Sequence, residues 1–344
     1  MKVLRSPGVA ALAAGWIAFC LLVWLYGASP SAMAALLFEG TWGTTYGAGQ
    51  VIFKATPLLF TGLAVDLALR GGLFNIGAEG QLAIASLAAG VVGAQLPAGT
   101  PAIVALPIVI LAAMAAGAAW AYPPAILKGR FGAHEVISTI MMNRIADGAI
   151  GLALASGGFA LAGTVRTADV IPGARLPRFD AFWSAFRGSA ASVAAFLAVG
   201  ATALVLFAHH RTRFGRELGL IGLGESAMRA EKVPVERRLE QSLVLSGAVA
   251  GLASLGTVLG YKGYFEQGLG AGAGFGGLAV ALLGRGSAWG LVLAALLFGT
   301  LQQGGLALNA HVPKELMDVL QGVVICAVAL ADTKLRAALL TRAA

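Results

Sequence analysis

Apolar blocks of about twenty residues, the length that spans the hydrocarbon core of a bilayer, follow one another along almost the whole chain with polar turns between them. The pattern predicts spans near 9–26, 51–69, 73–96, 102–127, 135–156, 189–208, 241–260, 270–284, 287–305 and 315–331. Ten such spans describe an all-α polytopic membrane protein with both termini on one side. No low-complexity linker or soluble block interrupts the series, so residues 1–344 read as a single transmembrane domain. Two polar segments, 157–188 and 209–240, are longer than a turn requires. The first is rich in Gly, Pro and Arg, and either covers a mouth of the bundle, meets a partner or forms a disordered connector.

Two spans are broken by their own sequence. Gly71-Gly72-Leu73-Phe74-Asn75-Ile76-Gly77-Ala78-Glu79-Gly80-Gln81 sets glycines, an Asn, a Glu and a Gln in an apolar background, and Gly268–Gly277 holds six glycines in ten residues. Glycine favours irregular backbone, which at membrane depth survives only inside protein or beside a water-filled cavity. Broken helices in corresponding parts of two halves point to a transport pathway. Close helix packing through small residues is the alternative. Gly272-Ala273-Gly274-Phe275-Gly276-Gly277 fits a dinucleotide fingerprint, but no β-strand precedes it and no acidic residue stands about twenty positions on.

Composition and charge agree with a lipid solvent. Of 344 residues 58% are hydrophobic and 12% charged, with a mean hydropathy of +0.83, where soluble domains carry about 25% charged residues. The net charge of +8 is spread over short loops, which reads as orientation by the positive-inside rule and not as nucleic-acid binding. Sixteen Lys/Arg fall on the side of the termini: Lys2, Arg5, Arg70, Lys128, Arg130, seven within 209–240, Arg285, Lys334, Arg336 and Arg342. Six fall on the other. Both termini and 209–240 are therefore expected in the cytoplasm and 157–188 outside. Lys2 and Arg5 ahead of an apolar run from Val9 to Tyr26 resemble a signal peptide, but the run exceeds the ~7–15 residues of a signal core and reads as an uncleaved first span. Cys20 and Cys326 lie in apolar blocks away from any His cluster, as buried thiols rather than metal ligands or a disulfide.

Polar residues inside spans are costly and thus informative. Lys54, Asp66, Glu79, Asn143, Arg144, Asp147, Gln302, Gln303 and Asp318 fall within or at the edges of the predicted spans. Arg144 and Asp147, three apart on one helix, are placed to pair. Asn75, Glu79 and Gln81 cluster in the broken span. With Asn143, Gln302 and Gln303, whose amides both donate and accept, they are the candidate substrate-pathway residues. Interhelical hydrogen bonding is an equal alternative for Asn143, Gln302 and Gln303 taken singly. The chain carries no phosphate loop, no HExxH and no catalytic triad, and its histidines, His134, His209, His210 and His311, are scattered near span ends.

The runs Gly72–Gln81, Glu135–Asn143, Ala279–Arg285 and Val312–Leu316 resemble, in order, the permeases of nucleoside and simple-sugar ABC importers, a group that includes ribose and branched-chain amino-acid permeases. The likeness runs from about residue 50 to about residue 332. Phe74-Asn75-Ile76-Gly77-Ala78-Glu79-Gly80-Gln81 is similar to the longer permease of nucleoside importers fed by basic-membrane-protein lipoproteins. The resemblance implies a multi-pass subunit of the bacterial cytoplasmic (inner) membrane. It would pair with a second permease, a cytoplasmic ABC ATPase that binds Mg-ATP, and an external substrate-binding lipoprotein. This chain would have no cofactor and no enzyme activity of its own. The resemblance also implies ATPase docking through Gly215–Val233, with Arg216, Glu217, Glu225 and Arg229. Departures from the family pattern are His134, Arg144, Gly224 and Gly276. A permease for a simple sugar or another heterocycle is the near alternative. An ion-coupled secondary transporter using Asp66, Glu79 and Asp318 is the distant one.

Overall fold

The computed structural model describes residues 7–161, 163–313 and 315–327. Lys2, Arg5, Lys314, Lys334, Arg336 and Arg342 of the charge count lie outside them. The described residues form helices α1 (Pro7–Leu25), α2 (Pro30–Thr41), α3 (Thr45–Arg70), α4 (Ala78–Gln95), α5 (Ala102–Phe131), α6 (Glu135–Ala155), α7 (Ala194–Arg211), α8 (Arg213–Leu223), α9 (Glu225–Ala230), α10 (Val235–Gly251), α11 (Ala273–Gly284) and α12 (Ala288–Leu308). Helix α10 runs on into a wider π-type stretch, Leu255–Lys262, and a further helix covers residues 315–327.

Among the described residues five helices are long and apolar enough to cross a membrane: α3, α5, α7, α10 with its π-type extension, and α12. Helices α1 and α2, bent by 116° at the intervening break, together make a sixth candidate. The sequence pattern places a loop where α2 forms. Pro30 starts that helix, at a position whose missing N–H has no helical partner to lose. Helices α4 and α6 have spanning length but carry Glu79 and Gln81, or Asn143, Arg144 and Asp147. The expected span at 270–284 is the twelve-residue α11, about 18 Å long at 1.5 Å per residue. The expected span at 73–96 becomes helical only at Ala78.

Helix α3 is the centre of the bundle. Every residue from Ala55 to Ala68 is buried, as a helix apolar on all faces requires, and α10, α11 and α12 pack around it. Helices α5 and α10 touch backbone to backbone: a Cβ added to Gly247 would lie 2.4 Å from the Gly117 carbonyl oxygen, and one on Gly117 would lie 2.3 Å from that of Gly247. The outer faces expose Ile103 and Leu111 on α5 and Leu204 and Phe207 on α7, the composition of a lipid-facing surface.

The two long polar segments sit at opposite ends. Leu218 of α8 packs against Gly71, and Gly222 against Arg70, at the end of α3. The 157–193 segment closes the other end: Thr45 Oγ1 donates to Ala185 O (2.5 Å), Val170 N to Gly263 O (2.7 Å) and Ile171 N to Gly93 O (3.0 Å). Thr167 N and Leu176 N donate to Phe265 O and Leu259 O, both at 2.9 Å. The described part of 157–188 is thus a hydrogen-bonded cover over this end of the bundle and not a disordered connector.

Candidate translocation site

The first Gly-broken stretch reverses the chain after α3. Gly72, at φ 78°, takes the left-handed conformation that side chains resist, and residues 73–77 run back into the bundle without helical hydrogen bonds. Broken backbone at this depth must find partners inside the protein, and polar side chains supply them. Asn75 Nδ2 donates to Gln81 Oε1 and to Ser246 Oγ, both at 2.8 Å, and Gln81 Nε2 returns a bond to Asn75 Oδ1 (3.1 Å). Ser246 Oγ donates in turn to Ala64 O of α3 (2.6 Å). From α6, Asn143 Nδ2 donates to Ile76 O (3.0 Å) and its Oδ1 accepts from Gly80 N (2.9 Å). Asn75, Gln81 and Asn143 are all buried. These three candidates therefore act first as the joinery of the re-entrant segment.

Asn75→Ala accordingly removes both partners of the buried Gln81 amide. Leaving a buried polar group unsatisfied costs about 1–3 kcal/mol, so the variant should melt at lower temperature in detergent. An unchanged melting temperature would refute this structural role.

The second Gly-rich stretch descends from the opposite end. Gly268, Gly270 and Gly272 hold φ of 86°, 82° and 85°, alternate left-handed positions that account for the spacing of glycine there. Helix α11 then starts against α3, where Thr61 Oγ1 donates to Ala273 O (2.7 Å). Thirteen ångströms, roughly, separate Thr61 from the Arg70 end of α3 at 1.5 Å per residue. The start of α11 therefore lies part-way along α3, with Ala273 and Gly274 buried and Gly272 and Phe275 exposed.

The two breaks meet at Glu79. Its Oε1 accepts from Gly272 N (2.6 Å) and its Oε2 from Gly274 N (2.7 Å). A helix start presents unpaired N–H groups and a partial positive charge, and a carboxylate from the start of α4 satisfies both. Gly274 is required by this approach, since a Cβ there would lie 2.3 Å from the backbone nitrogen of Glu79. Glu79 also lines a cleft with Asp147, Gln267, Gly268 and Gly270. Asp147 makes the expected pair with Arg144 at 3.4 Å, on an exposed face of α6. Gln302 and Gln303 lie apart from this joint. On α12 they are flanked by Gly299, which faces Val51 and Ala55, and by Gly304, which faces Leu37; Gln303 is buried and Gln302 half-buried. Sequence reasoning missed Thr61, Ser246 and Gln267. The first two are single hydroxyls in apolar runs, and nothing local marks them.

At the far end of the bundle α8 begins on Thr212, whose hydroxyl accepts from Gly215 N (3.1 Å). Glu217 is buried and accepts from Arg213 Nε (2.5 Å) and Arg238 Nε (2.6 Å), tying α8 to α10. Those bonds, Arg213's first, hold its carboxyl below the usual glutamate range. The tie is present at neutral pH and is lost as pH falls through that lowered value. Glu217 is thus turned inward. Arg216, Glu225 and Arg229 face outward, beside Leu223, which is 87% exposed. Arg229 pairs with Glu225 (3.5 Å) and Glu236. The outer face of α8 and α9 is a charged surface that also exposes Leu220 and, at the joint, Leu223.

The chain is similar over most of its length to several transporter subunits. A guanosine ABC transporter permease protein of Bacillus subtilis is 35% identical over 329 residues, covering 93% of this chain and 91% of that one. A glucose ABC transporter permease protein of Haloferax volcanii is 33% identical, covering 92% and 84%. A nucleoside ABC transporter permease protein of Lactococcus lactis is 28% identical, covering 92% and 88%. No solved structure matches. The model of one permease family aligns with residues 47–329, the stretch that contains both broken helices and the α8–α9 surface. The chain belongs to that family, the permease component of the branched-chain amino acid transport system.

Proposed function

We propose that this chain is one of two membrane-spanning subunits of an ATP-binding-cassette importer that carries nucleosides inward across a bacterial cytoplasmic membrane. The observation that carries the reading is the 35% identity to a guanosine permease over 93% of the chain. The whole chain serves as one membrane domain of about ten crossings, some of them broken, with both termini and α8–α9 in the cytoplasm and 157–188 outside. An external lipoprotein delivers the solute. It passes between this chain and a second permease and leaves inward as a partner ATPase, which holds Mg-ATP, closes and opens. The cleft at Glu79, Asp147 and Gln267 forms this subunit's wall of the path, where carboxylates and an amide accept from solute hydroxyls. Guanosine and glucose, named for two relatives, share a polyhydroxylated ring. Asn75, Gln81 and Asn143 support that wall, and Gln302 and Gln303 line the path nearer the outer mouth.

An ion-coupled carrier would need a carboxylate able to take and release its ion. Asp66 is paired with Arg70 at 2.8 Å, Glu79 is held by two backbone amides, and Asp318 is exposed, with Gln321 Nε2 at 3.5 Å. Docking to an ATPase uses Arg216, Glu225, Arg229 and the exposed Leu223, while Glu217 stiffens α8 from within.

The test is uptake of labelled guanosine by the chain reconstituted with its second permease, ATPase and binding protein. Uptake should require ATP, and glucose in excess should compete weakly. Exchanging the charges of Glu225 and Arg229 keeps their mutual pair, gives up the Arg229–Glu236 pair and inverts the outward surface, and should lower ATPase co-purification or substrate-stimulated hydrolysis at least about fivefold. Charge reversal on a merely solvated surface changes stability by less than about 0.5 kcal/mol and leaves both readouts alone. Ion-driven uptake by the chain without any ATPase would replace the importer with a carrier.

A further inference from the structure

A groove on the outer surface lies where the lipid-facing belt meets the basic end of the bundle. Its walls are Tyr122 of α5, Phe214 of α8, and Val244 and Leu245 of α10, with Arg237 and Arg238 at its mouth. Phe214 and Leu245 also line a second, mainly apolar hollow, with Val205, Ala208 and Val249 and with His209 and Thr212 at its edge. Leu204, Phe207, Tyr122 and Leu245 beside it are exposed, so the groove opens onto the surface that faces acyl chains.

The charges at its mouth do not balance. Glu217 is taken up by Arg213 and Arg238, Glu236 by Arg229, and Glu240, which also lines the groove, by Arg130 at 3.7 Å. Arg238 is further engaged by Gln241 (3.0 Å) and lies over the Phe214 ring. Arg237 is exposed and has no ion-pair or hydrogen-bond partner among the described residues, and Arg211 nearby is exposed with only the Phe207 ring beneath it. The groove therefore offers an apolar slot with an uncompensated guanidinium at its opening.

We infer that this groove binds one anionic phospholipid, its phosphate on Arg237 and an acyl chain between Phe214 and Leu245. An apolar slot alone would accept any lipid tail. The unpaired cation selects the headgroup, because basic side chains at a membrane surface attract anionic lipid, and a zwitterionic headgroup brings an ammonium of its own to the same place. The site depends on the chain spanning a membrane and not on the solute it carries.

Native mass spectrometry of the full-length protein, released from micelles holding equal phosphatidylglycerol and phosphatidylcholine, tests this. The wild type should retain phosphatidylglycerol in preference. Arg237→Gln should cut that retention about fivefold, the factor corresponding to about 1 kcal/mol per basic side chain near an anionic surface. Leu245→Trp, which fills the slot, should cut it as well, and millimolar inorganic phosphate should not displace the lipid. Equal retention of the two lipids, or an Arg237→Gln protein that holds phosphatidylglycerol as the wild type does, overturns the inference. Displacement by phosphate, or no effect of Leu245→Trp, also overturns it, by showing an anion site without an acyl slot. Arg237 is exposed and makes no hydrogen bond or ion pair among the described residues, so its replacement leaves the fold intact.

Discussion

Glu79→Ala should lower uptake at least about tenfold and melt the protein several degrees earlier, a larger effect than any other single side-chain removal in the bundle. Two hydrogen bonds to a charged group are lost together, each worth about 1.5–3 kcal/mol, and the start of α11 loses the negative charge that its dipole favours. The N–H groups of Gly272 and Gly274 are then left to whatever water the neighbouring cleft admits. Glu79→Gln separates geometry from charge. Its amide oxygen still accepts from one glycine, but its NH₂ faces the other N–H, donor against donor, so it should fall near the alanine variant and not near wild type. Uptake kinetics and thermal melting are to be measured side by side. Wild-type values of both in Glu79→Ala would mean that α4 and α11 hold their places without this joint.

Gly247→Val should prevent accumulation of folded protein. The Cβ would meet the Gly117 carbonyl oxygen at 2.4 Å and the Ala121 methyl at 2.5 Å. Neither is the flexible end of a side chain, so α5 and α10 must move apart along the most extensive helix contact among the described residues. Overpacking costs about 1–3 kcal/mol where neighbours give way, and more where they do not. Gly148→Ala is the control: a Cβ there meets nothing within 4 Å, and alanine is the better helix former by about 1 kcal/mol. Fluorescence-detected size-exclusion of tagged variants reads both. A monodisperse Gly247→Val protein at wild-type yield would show that the two helices are not held by backbone contact.

The two Gly-rich breaks and the polar residues of the first were legible, because glycine clusters and charged groups stand out against an apolar background. What they do to each other was not. Glu79 and Gly272 are 193 residues apart and Asn75 and Ser246 are 171 apart, and periodicity carries no information over such separations. The same limit explains α2. Its residues, Pro30–Thr41, mix Ser, Gly and Glu with Leu and Phe and never complete a spanning block, so only packing against α12 reveals a helix. For segment 157–188 the sequence leaves a cover, a partner surface and a connector open, because its bonds run mainly to backbone groups near residues 93 and 259–266. Glu217 looked like a surface charge because its neighbour Arg238 lies 21 residues on.

The attachment of α8 bears on how force travels through this molecule. Gly222 sits against the Arg70 carbonyl so tightly that a Cβ would lie 2.2 Å from its oxygen, and Leu218 and Ile221 are buried beside Gly71 and Leu73. From Leu73 the chain reaches Glu79 in six residues, pinned at Asn75 and Ile76 on the way. A linkage so short and so well fastened has no slack. A push of an ångström on the outer face of α8 has no loose loop in which to dissipate and arrives at the meeting point of α4 and α11 as displacement, in the manner of a rigid crank. Interposing play, by lengthening 71–77 with a pair of glycines, would leave both ends of the crank intact and disconnect them.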